Sequence, residues 1–208
     1  MNGFGNLGKL LCSVIYLALA LSMAACVTMD EKKEAINAVN QAFRAEYEKI
    51  LNEKGKRTFS IPRVEAFNDM RVAMAGLGMV TETQDQSLGY LVVSAPAPRP
   101  LTAEEWQRSA DADLPLLKRV ILPFVGGLAA SFIQFEPQGV DIVISATFTE
   151  TTAGTEILLT ARLRETGPPK SGWPRREYLP PTATRAGLDR IWDSFQHELR
   201  AAPAAPRR

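Results

Sequence analysis

The stretch from Val140 to Phe148 constrains the fold more than any other. Val140, Ile142, Ile144, Ala146 and Phe148 alternate with Asp141, Val143, Ser145 and Thr147, the period of two expected of a strand with one buried face. Thr152-Ala153-Gly154 supplies a turn, and Thr155 to Leu163 returns as the partner strand. An isolated hairpin is marginal in water. This one requires further strands and a layer of helices over its apolar side.

The rest of the chain offers both. Arg57 to Ile61 reads as a strand. Pro62 then suits the first turn of a helix, in which Val64, Phe67, Met70, Met74 and Leu77 share a stripe. Gly76 and Gly78 close that helix. Met79 to Thr83 and Tyr90 to Ser94 form two more strands around the polar turn Gln84 to Gly89, and Pro96, Pro98 and Pro100 stop the second of them. Apolar stripes predict an N-terminal helix over Asp30 to Asn52 (Ile36, Val39, Phe43, Tyr47, Ile50). A second predicts a last helix over Thr184 to Leu199 (Leu188, Ile191, Trp192, Phe195, Leu199). The expected class is α+β: an antiparallel sheet with helices packed on one face, preceded by an N-terminal helix. That first helix either packs on its own domain, spaces the domain from a membrane, or receives a partner helix.

Two segments do not fit this pattern. Thr102 with Glu105 makes a capping box that opens a short helix. Val120 to Phe135 then carries no charge before Glu136, yet contains Pro123 and Gly126-Gly127. It is too short and too broken to span a bilayer, and is expected to be partly core and partly a loop with exposed apolar side chains. Residues 167–182, rich in proline, glycine and arginine, read as an irregular loop, and the tail after residue 199 as disordered.

The N-terminus has its own logic. Lys9 precedes an apolar run from Leu10 to about Leu21, and Leu21-Ser22-Met23-Ala24-Ala25-Cys26 follows. The layout is that of a secretory signal, and the last six residues resemble the lipobox of bacterial lipoproteins. The resemblance implies removal of residues 1–25, acylation of Cys26 and a membrane anchor. Val27, where an inner-membrane retention signal typically has Asp, implies the periplasmic face of the outer membrane. Four parts follow: signal 1–25, a lipidated N-terminus with its helix 26–56, an α+β domain 57–199, and the tail 200–208. In element order alone, the domain with its Leu77-Gly78-Met79-Val80 junction and Asp85 to Gly89 turn resembles BamC-like helix-grip envelope lipoproteins.

Composition narrows the chemistry. Removing the signal takes Cys12, and acylation uses Cys26, so the domain has neither a disulfide nor a cysteine metal site. The chain has 24 basic and 23 acidic residues, a balance that argues against nucleic-acid binding. The single histidine, His197, is expected to be a solvated helix residue. No Gly-x-Ser-x-Gly elbow or phosphate loop is present. Glu104 with Glu105, and Asp111 with Asp113, read as caps or solvated charges rather than a hydrolytic pair. The expectation is a protein without catalytic residues, metal or cofactor that acts by binding, as an accessory or assembly component of the envelope with a protein partner. The alternative is a carrier of lipid or small molecules in an apolar pocket. Candidate binding residues are Phe124, Phe132 and Phe135 in the apolar segment. Trp173, Arg175 and Arg176 join them from the basic run between Lys170 and Arg185.

Overall fold

A computed structural model describes residues 28–135, 137–167 and 175–201. The expected signal over residues 1–25, Cys26, Trp173 and the tail beyond Ala201 lie outside the described residues. In chain order the elements are α1 (Met29–Lys54), β1 (Lys56–Phe59), α2 (Arg63–Gly76), β2 (Val80–Asp85), β3 (Tyr90–Pro96), α3 (Ala103–Ser131), β4 (Val140–Thr151), β5 (Gly154–Glu165) and α4 (Pro181–Ala201). The strands form one antiparallel sheet in the order β1-β5-β4-β3-β2. The protein is therefore α+β, with the helices on one face of the sheet.

The predicted alternation places the core. Val140, Ile142, Ile144, Ala146 and Phe148 are all buried, and Leu91, Val93, Ala95, Ile157, Leu159 and Ala161 join them from the neighbouring strands. On the opposite face Tyr90, Thr147 and Leu158 reach solvent. At the β4–β5 turn Gly154 has a φ of +124°, and a Cβ there would stand 2.2 Å from the Phe59 carbonyl oxygen. Both the conformation and the space thus require glycine.

α2 and α4 cover the middle of the sheet. Phe67, Met70 and Met74 from α2 interlock with Leu188, Ile191, Trp192 and Phe195 from α4. Val64, expected in the α2 stripe, is 53 % exposed, and Ala66 and Ala73 are buried instead. Close approach of α2 to the core selects these small residues. Trp192 also serves the junction after α1, where its indole N–H donates to the Lys54 carbonyl at 2.7 Å.

β1 pairs with β5 only from Thr155 to Leu158. Beyond that point the edge of β5 would be free, a liability in any sheet. Three substitutes satisfy it: the Leu159 N–H donates to the Gly55 carbonyl, the Ala161 N–H to the Tyr47 hydroxyl, and the Leu163 N–H to the Glu177 carbonyl. α1 and residues 175–178 therefore act as a surrogate edge. Tyr47 and Ile50 join the main core, so α1 packs along the domain.

The largest departure from expectation is α3. The capping box at Thr102 and Glu105 forms, but it opens a helix of 29 residues rather than a short one. Pro115 and Pro123 lie within it, and the helical path breaks only at Gly126 (φ 74°, ψ 163°), a conformation essentially confined to glycine. The apolar segment is thus helix with one sharp bend as far as Ser131, in place of the expected loop, and irregular from Phe132 to Phe135. As expected, it is part core (Ile121, Ala130) and part exposed (Leu122, Leu128, Phe132).

Candidate functional site

α1 and α3 do not close against each other along their whole length. A cavity of about 290 Å³ lies between them, bounded also by residues 133–135, the end of β5 and residues 176–180. Its walls are chiefly apolar: Ile36, Val39 and Phe43 from α1, and Leu117, Ile121 and Val125 from α3. Lys32, Gln134 and Arg176 also line it and are exposed to solvent, so polar groups stand at its mouth. Trp106 belongs to the same wall, and its buried indole N–H has no acceptor among the described residues. That N–H is closed off from the accessible space of the cavity, so it is an uncompensated donor inside the wall, a cost of ~1–3 kcal/mol, and not a group that an occupant would meet.

Asn40 organises the rim. Its Nδ2 donates to the Arg175 carbonyl at 2.8 Å, and its Oδ1 accepts from the Glu177 N–H at 3.2 Å. This clamp fixes residues 175–177, turning Arg176 to the cavity and Tyr178 against Tyr47, with ring centroids 5.4 Å apart. Arg176 is held by Glu165 at 2.8 Å. Across the cavity Phe43 packs against Phe135 at 5.8 Å.

The sequence-predicted residues divide accordingly. Phe135 and Arg176 line the cavity. Phe124 is half-buried in a small cluster with Ala35, Leu117, Ile121 and Ala130. Phe132 is 78 % exposed. Arg175 is exposed and contributes its carbonyl to the Asn40 clamp. Cys26 and Trp173 lie outside the described residues. The cavity residues Asn40, Phe43, Trp106 and Tyr178 carry no motif that could mark them. The one available signal was the surplus of large apolar residues on α1 and α3.

Of the four carboxylates considered for hydrolysis, Glu104 is exposed and the other three have structural partners. Glu105 closes its capping box and pairs with Arg190 at 2.6 Å; the Thr102 backbone N–H, above all, holds its carboxyl below the usual range. Asp111 accepts from Gln107. Asp113 accepts from the Thr182 N–H and hydroxyl, both at 2.7 Å, and so caps the start of α4. Burial pushes the Asp113 carboxyl above its ordinary pKa although those two bonds oppose the shift. His197 is exposed on α4.

No family model, curated protein or solved structure matches this chain. The functional reading therefore rests on the geometry.

Proposed function

We propose that this protein is a lipid-anchored envelope protein of the periplasmic face, held by Cys26 in the outer membrane, and that it acts by binding rather than catalysis. The bound molecule is amphipathic, such as a single lipid chain or an apolar small molecule with an acidic or oxygen-bearing head. One observation carries this reading: the apolar cavity of about 290 Å³ with Lys32 and Arg176 among its lining residues. Its size is at the lower edge of the roughly 300–1,000 Å³ typical of small-molecule sites. The Lys32 ammonium fits an acidic head, and Arg176, held by Glu165, is the second cation of the lining.

Native mass spectrometry of protein purified from its own membranes tests this directly. A retained mass beyond the anchor is expected, and Val39→Trp, which fills the cavity, should remove it without lowering the melting temperature greatly. Absence of any adduct, together with no saturable uptake of a fluorescent acyl-chain probe, would sink the carrier reading.

A second reading, an accessory component with a protein partner, is favoured by the uncovered outer face of the sheet. There Tyr90 and Leu158 are 40 % and 41 % exposed, and Val80 is 68 % exposed. In-cell photocrosslinking from positions 90 and 158 should yield a discrete protein adduct on that reading and none on the first.

A further inference from the structure

The break at Gly126 does more than end a helix. The Lys118 ammonium reaches the Ser131 carbonyl at 3.2 Å, although thirteen residues of straight helix would separate them by ~20 Å. The chain therefore folds back on itself after Gly126. Around this bend Leu122, Leu128 and Phe132 are 49 %, 67 % and 78 % exposed. Of the most apolar stretch of α3, only 17 % is buried within the protein.

Three observations identify what covers this tip. First, α1 runs antiparallel to α3. Ala35 packs with Leu117, Ile121 and Ala130 near the bend, whereas Glu46, farther along α1, is near enough to Asp113 to act on its charge. The start of α1 and the tip thus share one end of the molecule, where Met29 is also exposed. Second, Cys26 precedes Thr28 by two residues, a reach of at most ~7 Å. Third, Lys118, Arg119 and Lys32 lie at the base of the tip or beside it. None of them forms an ion pair among the described residues. An apolar tip with cations behind it matches the acyl boundary of a bilayer with phosphate headgroups above it.

We infer that the folded-back end of α3, residues 121–133, is seated in the interface of the bilayer that holds the anchor, with Leu122, Leu128 and Phe132 among the acyl chains. The placement rests on the acylation of Cys26. The tip does not span. Leu114 to Val125 would make only ~18 Å of helix against a hydrocarbon core of ~30 Å, and Gly126 turns the chain back. Lys32, Val125 and Ile133 line the cavity near the same end, so that end of the cavity stands next to the lipid.

Spin labels test the seating, since Cys12 and Cys26 are the chain's only cysteines. Phe132→Cys and Leu128→Cys would be labelled in the acylated protein reconstituted into phosphatidylethanolamine–phosphatidylglycerol vesicles, with Val80→Cys and Leu158→Cys as references. These four positions are exposed, so the substitutions leave the fold intact. Labels at 128 and 132 should be severalfold more accessible to oxygen, relative to a polar nickel complex, than those at 80 and 158. Equal accessibility at all four, in protein that floats with the vesicles, overturns the seating and leaves the anchor standing. A mass spectrum without acyl chains on Cys26 removes the anchor instead. In that case, shielded labels at 128 and 132 on vesicle-bound protein still support the seating, and failure to bind vesicles overturns it.

Discussion

The helical layer has two halves that use apolar side chains in opposite ways. α2 and α4 lay Met70, Met74, Ile191, Trp192 and Phe195 on the sheet, each at 0 % exposure. The first turns of α1 and the second half of α3 also carry large apolar side chains, yet enclose a cavity and leave Leu128 and Phe132 in solvent. Burial of such side chains is the main favourable contribution to folding, so a half that forgoes it is shaped by something other than stability. The contrast separates a tightly packed scaffold from an end whose apolar side chains are left uncovered within one sheet-covering layer.

The sharpest way to break this comparison is a pair of phenylalanines. Phe148, at 2 % exposure, packs against Phe67 with centroids 5.3 Å apart. Phe148→Ala should cost about 3–5 kcal/mol in urea unfolding. Phe132→Ala should change stability in detergent-free buffer by less than about 0.5 kcal/mol. A loss above about 2 kcal/mol at position 132 would make the tip part of the core and dissolve the distinction.

Next in size is the joint between the halves. Asp113 on α3 caps α4 through Thr182. Asp113→Ala removes both bonds and should cost ~1–2 kcal/mol, with amide exchange accelerated first in the opening turn of α4. Asp113→Asn keeps one acceptor and should recover part of the loss. If exchange rises uniformly over the whole chain instead, α4 is not separately held by this cap.

How much of this was legible varies with the kind of signal. The β4–β5 hairpin follows from alternation alone, because a half-buried strand leaves a period of two at every position. α1, α2 and α4 follow from apolar stripes, although Val64 shows that a stripe includes residues at its margin which packing leaves out. The length of α3 was hidden by Pro115 and Pro123. Each removes one backbone donor, yet both are exposed and the flanking turns carry the helix past them. The cavity was illegible for a different reason. Phe43, Trp106, Phe135 and Tyr178 come from separate segments, and only the antiparallel pairing of α1 with α3 brings them together. Arg176 stood out among the arginines and aromatics, whereas Asn40, which positions it, read as one more polar residue on a helix.

The outer face of the sheet offers a smaller test. Arg164 joins Glu82 and Asp141 across three strands, and Ser94 donates to Glu82 at 2.6 Å. The Arg164 guanidinium, helped by Ser94, pulls the Glu82 carboxyl down to about 2 from the ordinary 4.5. A folded pKa below the unfolded one adds stability that is present above the unfolded value and is lost as pH falls through the folded value. The expected window therefore runs from about pH 4.5 down to about 2. Because these groups are largely solvated, the gain at neutral pH is about 1 kcal/mol or less. Comparing Glu82→Gln with the parent by urea unfolding at pH 7 and pH 2 checks it. A difference that persists at pH 2 would assign the effect to packing rather than to charge.

The smallest effect returns to the tightly packed half, where a charge has been caught between helices. Asp69 on α2 has a buried Oδ2 without a donor among the described residues. Burial, and then the nearby carboxylates of Glu65 and Glu198, raise its pKa above the ordinary 3.8. The sign is opposite to that of Glu82. The favourable contribution is complete below the unfolded pKa and is lost as pH rises through the elevated folded value. At pH 7 the ionised carboxylate thus opposes the contact of α2 with α4. Asp69→Asn should stabilise the protein by a few tenths of a kcal/mol at pH 7, an advantage that vanishes as the pH approaches 3. The same removal of charge at Asp30, exposed at the start of α1, has no burial to relieve and should bring no such gain. If Asp69→Asn is instead destabilising at pH 7, the carboxylate has found a donor in solution and the two helices are less tightly closed than their aliphatic packing implies.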